Sequence, residues 1–304
     1  MTTYDLIIIG AGPAGITAAI YAARKGMKLL VLGKDIGGQA LWASDIENYT
    51  GYNIITGAEL SDKFRKHIKL YGIDAREDET VQSLAKEGGI FTVKTIKGSY
   101  NARAVIAASG KTPKRLDVPG EEEFRNKGVA YCATCDGPIF AGKRVCVVGG
   151  GNSAITAAIA LSKIAGFVSI INNDELLSGD AILQKALEKA GNVKVYNRAV
   201  VRAITGNKFV TGLDITLPHG AEHLPLEGVF IEIGLTPNSG FMENIKKNSE
   251  GEIEIDCLCR TSEEGLFAAG DVTNVPEKQI IVAAGEGAKA ALSAFRYIVS
   301  RFSL

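Results

Sequence analysis

Residues 4–32 read YDLIIIGAGPAGITAAIYAARKGMKLLVL. An apolar run from Tyr4 to Ile9 meets Gly10-Ala11-Gly12-Pro13-Ala14-Gly15, passes into a helix of small residues through Ala23, and returns as an apolar run from Lys28 to Leu32. The pattern predicts strand, turn, helix and strand. In such a unit the first glycine allows the tight turn, the second lets a pyrophosphate approach the backbone, and the third lets helix and strand pack closely. The helix N-terminus then offers free N–H groups and a partial positive charge to the phosphates. The acid that commonly holds a ribose near the end of the second strand is replaced by Gly33, followed by Lys34 and Asp35, so the ribose must be held in another way.

The unit recurs. Ile16-Thr17-Ala18-Ala19-Ile20 returns as Ile155-Thr156-Ala157-Ala158-Ile159, and the glycines align at the same offset (149 less 10 is 139). Arg144 to Val148 supplies the strand, Gly149-Gly150-Gly151-Asn152-Ser153-Ala154 the turn, and Phe167 to Ile171 the second strand. Two such units predict an α/β fold with two Rossmann-like dinucleotide-binding domains, and hence two bound nucleotides or one site that has lost its ligand. Two polar, proline-bearing stretches, 111–120 and 234–238, read as linkers. Beyond the second, Gly265 to Asp271 reads as a buried strand delivering an acid to a cofactor, which returns the chain to the first domain. The expected division is therefore 1–112 with 241–304 for the first domain, and 113–240 for a second domain inserted into it.

Between these units the periodicity predicts an amphipathic helix from Gly57 to Tyr71, with Leu60, Phe64, Ile68 and Tyr71 on one stripe and His67 on the solvated face. A β-meander is expected from Val81 to Val93 with a turn at Lys97-Gly98. Further on come a helix from Ser178 to Ala190, β hairpins over Val200–Leu217 and Leu226–Ile233, and a closing helix from Gln279 to Phe295.

The chain has 304 residues, 46% of them apolar, enough for two domains with cores of their own. Thirty-four basic residues balance thirty-four acidic ones, so no net field draws in nucleic acid or an anionic membrane. Residues 6–23 carry no charge, but their glycines and Pro13 stand where a strand-turn-helix would turn, which argues against a membrane span. The start of the sequence lacks the pattern of a signal peptide, and the expected location is cytoplasmic. Five cysteines in such a chain do not make a disulfide scaffold.

Chemistry is expected at Tyr131-Cys132-Ala133-Thr134-Cys135-Asp136, just ahead of the second glycine turn. Two cysteines separated by two residues can close a small disulfide ring, and an acid directly after the second can move a proton as the ring opens. A zinc site would need two further ligands, and neither Cys257-Leu258-Cys259 nor the three histidines offer a familiar spacing, so no metal is expected. Cys257 and Cys259 read as alternate residues on one face of a strand, and Cys146 as core. Gly37, Gly38 and Gln39, with Asn48, permit a close backbone pass over a flat ring and bonds to its heteroatoms. Ser109-Gly110 ends a buried strand. Asp271, after Gly270, can bond a ribityl or ribose hydroxyl, and Gln279 and Ile280 open the closing helix. In the inserted domain Gly149, Gly151, Asn152, Ser153, Ala154 and Asn172 form the second nucleotide candidate.

Taken together, GAGPAG at 10–15, GGQ at 37–39, IEN at 46–48, CATCD at 132–136, GGGNSA at 149–154 and GDV at 270–272 resemble the low-molecular-weight thioredoxin reductases over nearly the whole chain. Residues 135–140 and 279–287 look closer to the flavoprotein subunit of alkyl hydroperoxide reductase. The resemblance implies FAD in the first domain, the redox pair on the inserted one, a homodimer, and a domain rotation that presents either the disulfide or the donor site to the flavin. It implies that Cys135 is the sulfur nearest the flavin, Cys132 the thiolate that attacks thioredoxin or a thioredoxin-like protein, and Asp136 the proton-transfer acid. Members using NADPH carry a His-Arg-Arg type cluster after the second strand of the inserted domain, where this chain has Asn172-Asn173-Asp174. NADPH is disfavoured on that ground, whereas NADH stays open because Asn172 or Asp174 can bond a free ribose 2′-hydroxyl, and reduced ferredoxin or a deazaflavin stay open as donors too. The alternative reading is an NADH-dependent flavoprotein reductase feeding a peroxiredoxin system.

Overall fold

Strand residues 6–9 are apolar on both faces, as a parallel strand covered on two sides requires. In the computed structural model, which describes residues 3–43 and 46–302, Leu6 and Ile8 face one buried cluster while Ile7 and Ile9 face another. The strand Thr3–Ile9 lies between parallel neighbours Leu29–Leu32 and Ser99–Ala107. Asp74–Arg76 extends one side, Leu266–Ala268 pairs with the end of Ser99–Ala107, and the antiparallel strands Ile90–Thr95 and Val81–Glu87 complete the sheet.

The helix Pro13–Ala23 begins at Gly12, with Pro13 in the first turn where its missing N–H costs nothing. Helix Gly57–Leu70 is started by a reciprocal capping box between Thr56 and Glu59 and buries Leu60, Phe64 and Ile68. Tyr71 caps its C-terminus, and His67 is exposed. The closing helix runs Ile280–Phe302, seven residues beyond the sequence expectation. No breaker intervenes, and Tyr297, Ile298 and Phe302 pack on the first core.

The second compact unit spans residues 113–235. Its parallel sheet runs in the order Val193–Tyr196, Phe167–Ile171, Arg144–Val148, Gly228–Ile231, Val129–Ala130. Helix Asn152–Ser162 occupies the place of Pro13–Ala23 at the same 139-residue offset (152 less 13). Val145 and Val147 pack with this helix, and Cys146 and Val148 face a three-stranded antiparallel sheet of Val200–Gly206, Val210–Leu217 and Gly220–Pro225. Cys146 is fully buried, which raises its thiol pKa far above the ordinary value.

Three sequence expectations are corrected by the fold. Leu226–Ile233 is not a hairpin arm, because Gly228–Ile231 joins the central sheet in parallel beside Arg144–Val148. The helix expected from Ser178 starts only at Ala181, since Ser178 and Asp180 are held by bonds to the second glycine turn and its helix. The return to the first unit falls at 235/236, not 240/241. Asn238 donates from its backbone to Gly110 O at 2.9 Å and from Nδ2 to Ser109 O at 2.9 Å, and it accepts from Ser109 Oγ at 2.7 Å, which ties 236–240 to the first unit.

Helix Ile280–Phe302 crosses Pro13–Ala23 at Gly287, where a Cβ would lie 2.0 Å from Ala14 O. Gly287→Val is therefore expected to cost about 3 kcal/mol or more of stability. The check is the midpoint of urea denaturation; an unchanged midpoint would show that the helices can separate freely.

Candidate active site

Each glycine turn brings backbone against backbone. Gly10 has φ +109, and a Cβ on Gly15 would lie 1.8 Å from Gly10 O. Gly12, at the helix start, makes no side-chain cap bond, and the first turn holds no acid, so its amides stay open to an anion. The Gly37-Gly38 turn passes over the same place: a Cβ on Gly38 would lie 3.1 Å from Gly12 Cα. Gln39 stands close to Gly110, with Nε2 3.8 Å from where a Cβ would be, and Asn48 Nδ2 donates to Gln279 Oε1 at 3.0 Å.

Gly270 lies against Ala14, and its N–H donates to the buried Glu286 at 2.9 Å. That contact delivers Asp271 to the first helix. The Asp271 carboxyl makes no hydrogen bond among the described residues, and burial raises its pKa although Lys278 and Lys111 pull it down. An open helix start, a glycine cradle and an unbonded carboxylate fit the pyrophosphate and a polyol hydroxyl of a flavin dinucleotide. Gly10, Gly12, Pro13, Ala14, Gly15, Gly37, Gly38, Gln39, Asn48, Gly110, Gly270, Asp271, Gln279 and Ile280 all belong to this one unit.

A cluster that sequence reading missed lies in the same unit. Lys111 and Glu252 are buried and paired at 2.6 Å, and Lys278 meets the same Glu252 oxygen at 2.9 Å. Asn248 Nδ2 donates to the other oxygen at 2.6 Å. Burial alone would raise the Glu252 carboxyl, but the bonds from Lys111, Lys278 and Asn248 outweigh it and hold the pKa below the ordinary value. The only signal in the sequence was two lysines beside Gly110 and Gln279, and their partner is remote in the chain.

In the second unit Cys132 and Cys135 are joined as a disulfide with their Cα atoms 5.3 Å apart. Cys132 caps the short helix Ala133–Asp136, and its sulfur accepts the Cys135 N–H at 3.2 Å. Asp136 follows, buried, with its N–H donating to Cys132 O at 3.0 Å. Next to this helix lies Glu232, a second residue that sequence reading missed; Ala133 N–H reaches its Oε1 at 3.5 Å. Its signal was a single acid at the end of the apolar run Val229–Ile233.

The second turn resembles the first in backbone and differs in surroundings. Gly149 has φ +138, and the helix after Gly151 starts with no side-chain cap and no acid in its first turn. Asn152 exchanges bonds with Asp180, and Ser178 N–H donates to Gly150 O at 2.9 Å. Ser153 is exposed and Ala154 buried. Asn172 departs from the expected ribose role. It is fully buried beneath Gly150, its Nδ2 donates to Asn197 Oδ1 at 2.9 Å and Asp174 O at 3.2 Å, and its Oδ1 accepts from Asp174 N–H at 3.3 Å. Arg198, distant in sequence, comes to this loop, where it pairs with Glu175 and its N–H donates to Asp174 O at 2.8 Å.

Cys257 and Cys259 do not share a strand face. They lie in a turn, with Cys257 exposed and Cys259 buried at φ +61, and burial pushes the Cys259 thiol up to about 11. Among the described residues no group of three or more His, Cys, Asp or Glu is placed to hold a metal ion, and no helix is long and apolar enough to cross a membrane.

A family profile for pyridine nucleotide-disulphide oxidoreductases matches residues 4–287. The F subunit of alkyl hydroperoxide reductase from Escherichia coli is 42% identical over 304 residues, covering 97% of this chain and 58% of that protein. An NADH dehydrogenase of Bacillus subtilis is 42% identical over 300 residues, with 97% and 59% covered. The chain thus spans less than two thirds of the length of these relatives. The crystal structure of thioredoxin reductase from Streptococcus pyogenes matches with a TM-score of 0.91 and 37% identity, covering 98% of this chain and 99% of that one.

Glu252→Gln removes one charge from a buried pair and leaves two lysines uncompensated, with an expected loss of about 3–5 kcal/mol. Because the folded pKa of Glu252 is lowered, its contribution is complete above the ordinary carboxylate range and is lost as pH falls through the folded value. Thermal melts of both proteins from pH 7 to pH 3 check this: the gap between them should narrow on acidification.

Proposed function

The chain belongs to the pyridine nucleotide-disulphide oxidoreductase family, a flavin-dependent oxidoreductase whose membership implies FAD and a nicotinamide nucleotide, and from that premise we propose that it reduces the disulfide of thioredoxin or a thioredoxin-like protein at the expense of NADH. The observation that carries this reading is the Cys132–Cys135 disulfide itself, with the Cys132 sulfur accepting an amide N–H at 3.2 Å. When bound, FAD supplies a two-electron carrier between nucleotide and disulfide.

The rest is work for the chain's own residues. In the reduced pair, the N–H of Cys135 stabilises negative charge on Cys132, which makes it the attacking thiolate. Cys132 attacks one sulfur of the partner disulfide; that S–S bond breaks, a mixed disulfide forms, and the departing sulfur takes a proton. Cys135 then attacks the Cys132 sulfur, releasing the second partner thiol and restoring the ring. Two electrons and two protons have passed to the partner. Asp136, at the end of the redox helix, takes the proton that Cys135 gives up and passes it to the departing partner thiolate, while the first departing sulfur takes from water the proton that Cys132 had lost.

The choice of NADH rests on the loop after Phe167–Ile171. Arg198, the arginine brought to this loop, is held by Glu175, so a 2′-phosphate would have to displace a carboxylate. The name of the Bacillus subtilis relative supports the same donor. The identity with the alkyl hydroperoxide reductase relative supports a second reading of the partner, as the thioredoxin-like carrier of a peroxidase system.

Cys132→Ser is expected to abolish partner reduction, a loss of at least about a thousandfold, while retaining bound flavin. A thioredoxin-coupled insulin reduction assay with a flavin spectrum checks both parts. Anaerobic mixing of the oxidised protein is expected to bleach flavin at least about tenfold faster with NADH than with NADPH, as expected where the arginine near a 2′-phosphate is already held by a carboxylate. Glu175→Gln, which frees Arg198, should narrow that ratio. Faster bleaching by NADPH or by reduced ferredoxin would sink the NADH assignment.

A further inference from the structure

Glu232 stands where the two motifs of the inserted unit meet. It follows the parallel strand Gly228–Ile231, whose neighbour Arg144–Val148 leads directly into the second glycine turn. Its N–H donates to Val148 O at 2.9 Å. Its carbonyl lies so close to Gly149 that a Cβ there would be 2.4 Å away. Its side chain turns to the redox helix, where Oε1 takes the Ala133 N–H at 3.5 Å, the outer limit of such a bond.

We propose that Glu232 is a proton-holding positioning residue for Cys132, acting through the amide that joins Cys132 to Ala133. The inference rests on the redox reading of the cysteine pair. Reduction of the ring consumes two electrons, supplied by the reduced flavin, and two protons: one S–S bond breaks and two thiols form. For Cys132 to attack a partner it must lose its proton, and a carboxylate alongside opposes that loss by like-charge repulsion. A protonated carboxyl does not.

The surroundings set the range over which this control operates. Burial raises the Glu232 carboxyl to about 7, against the pull of the Ala133 bond. An ordinary thiol titrates near 8.5, so the two ionisations fall in adjacent ranges. The element that reaches Glu232 is the redox helix, which carries Cys132, Cys135 and Asp136; Lys114 lies by Gly234, two residues further along, with Nζ 3.8 Å from the position of a Cβ there, and burial and the Ala133 bond are what act on the Glu232 carboxyl. The glycine turn brings none. Among the described residues no salt bridge reaches Glu232, so its charge is balanced by no paired cation.

The bland alternative is that Glu232 only accepts the Ala133 N–H, a task glutamine would perform equally. The test separates the two. The flavin-loaded protein is reduced anaerobically, and the rate of iodoacetamide alkylation at Cys132 is followed by mass spectrometry from pH 5 to pH 10, in wild type and in Glu232→Gln. Two inflections are expected in wild type, the lower near pH 7. The variant should show one inflection and alkylate about threefold faster at pH 8, as expected when a neighbouring negative charge is removed. Glu232→Asp, which restores the charge, should regain the second inflection. Superimposed profiles for wild type and Glu232→Gln would overturn the proposal, and so would a single inflection in wild type, a result that needs no variant to fold. If Cys132 were alkylated equally before and after reduction, the redox reading of the pair would fail instead.

Discussion

A side chain on Gly15 has nowhere to go: its Cβ would sit 1.8 Å from the carbonyl oxygen of Gly10. This backbone-on-backbone approach locks the start of helix Pro13–Ala23 against the end of strand Thr3–Ile9, with the first amides of the helix left open. The other cofactor candidates are arranged around that lock. Gly270 and Gly287 both pack on Ala14, one bringing Asp271 to the helix start and the other seating the closing helix. The Gly37-Gly38 turn comes against Gly12 at the same helix start. An anion site of this kind needs bare backbone, and bare backbone in a packed core needs glycine.

Buried carboxyls are of two kinds. In the first unit Glu252 is shared by Lys111 and Lys278 and further bonded by Asn248, and in the second Glu121 accepts from the Leu116 and Asp117 amides and the Tyr131 hydroxyl, so these costly buried groups are internally compensated. Asp271, in the first unit, is unbonded among the described residues at the place where a ligand hydroxyl would complete it. In the second unit Glu232 lacks such compensation, and its raised pKa follows from burial. Uncompensated carboxyls thus occur beside the two motifs that carry chemistry, as expected where proton handling or ligand binding is the purpose.

Legibility in the sequence followed the range of the interaction. The glycine turns, the 139-residue repeat and the Cys132–Cys135 pair are local patterns whose meaning depends on a few neighbouring residues, and the fold places them as read. The stripe Leu60, Phe64, Ile68 was legible because helical periodicity is local too. Val229 to Ile231 was misread because a short apolar run is equally compatible with a hairpin arm and a parallel strand, and only its pairing with Arg144–Val148 decides. Asn172 looked available for a ribose; it is instead the internal support of its own loop. Arg198 reaches the same loop only because strand Val193–Tyr196 pairs with Phe167–Ile171 and carries it there.

By itself the sequence determined that this chain builds two dinucleotide-type units with a dithiol motif in the second, since glycine spacing, apolar runs and a two-residue cysteine gap act over one turn of backbone. Only the tertiary structure decided which charges surround those motifs. Lys111 with Glu252, Glu175 with Arg198, and Glu232 with Ala133 are pairs separated by long stretches of chain. Their electrostatics arise from sheet register and helix crossing, which bring together residues that no local pattern links.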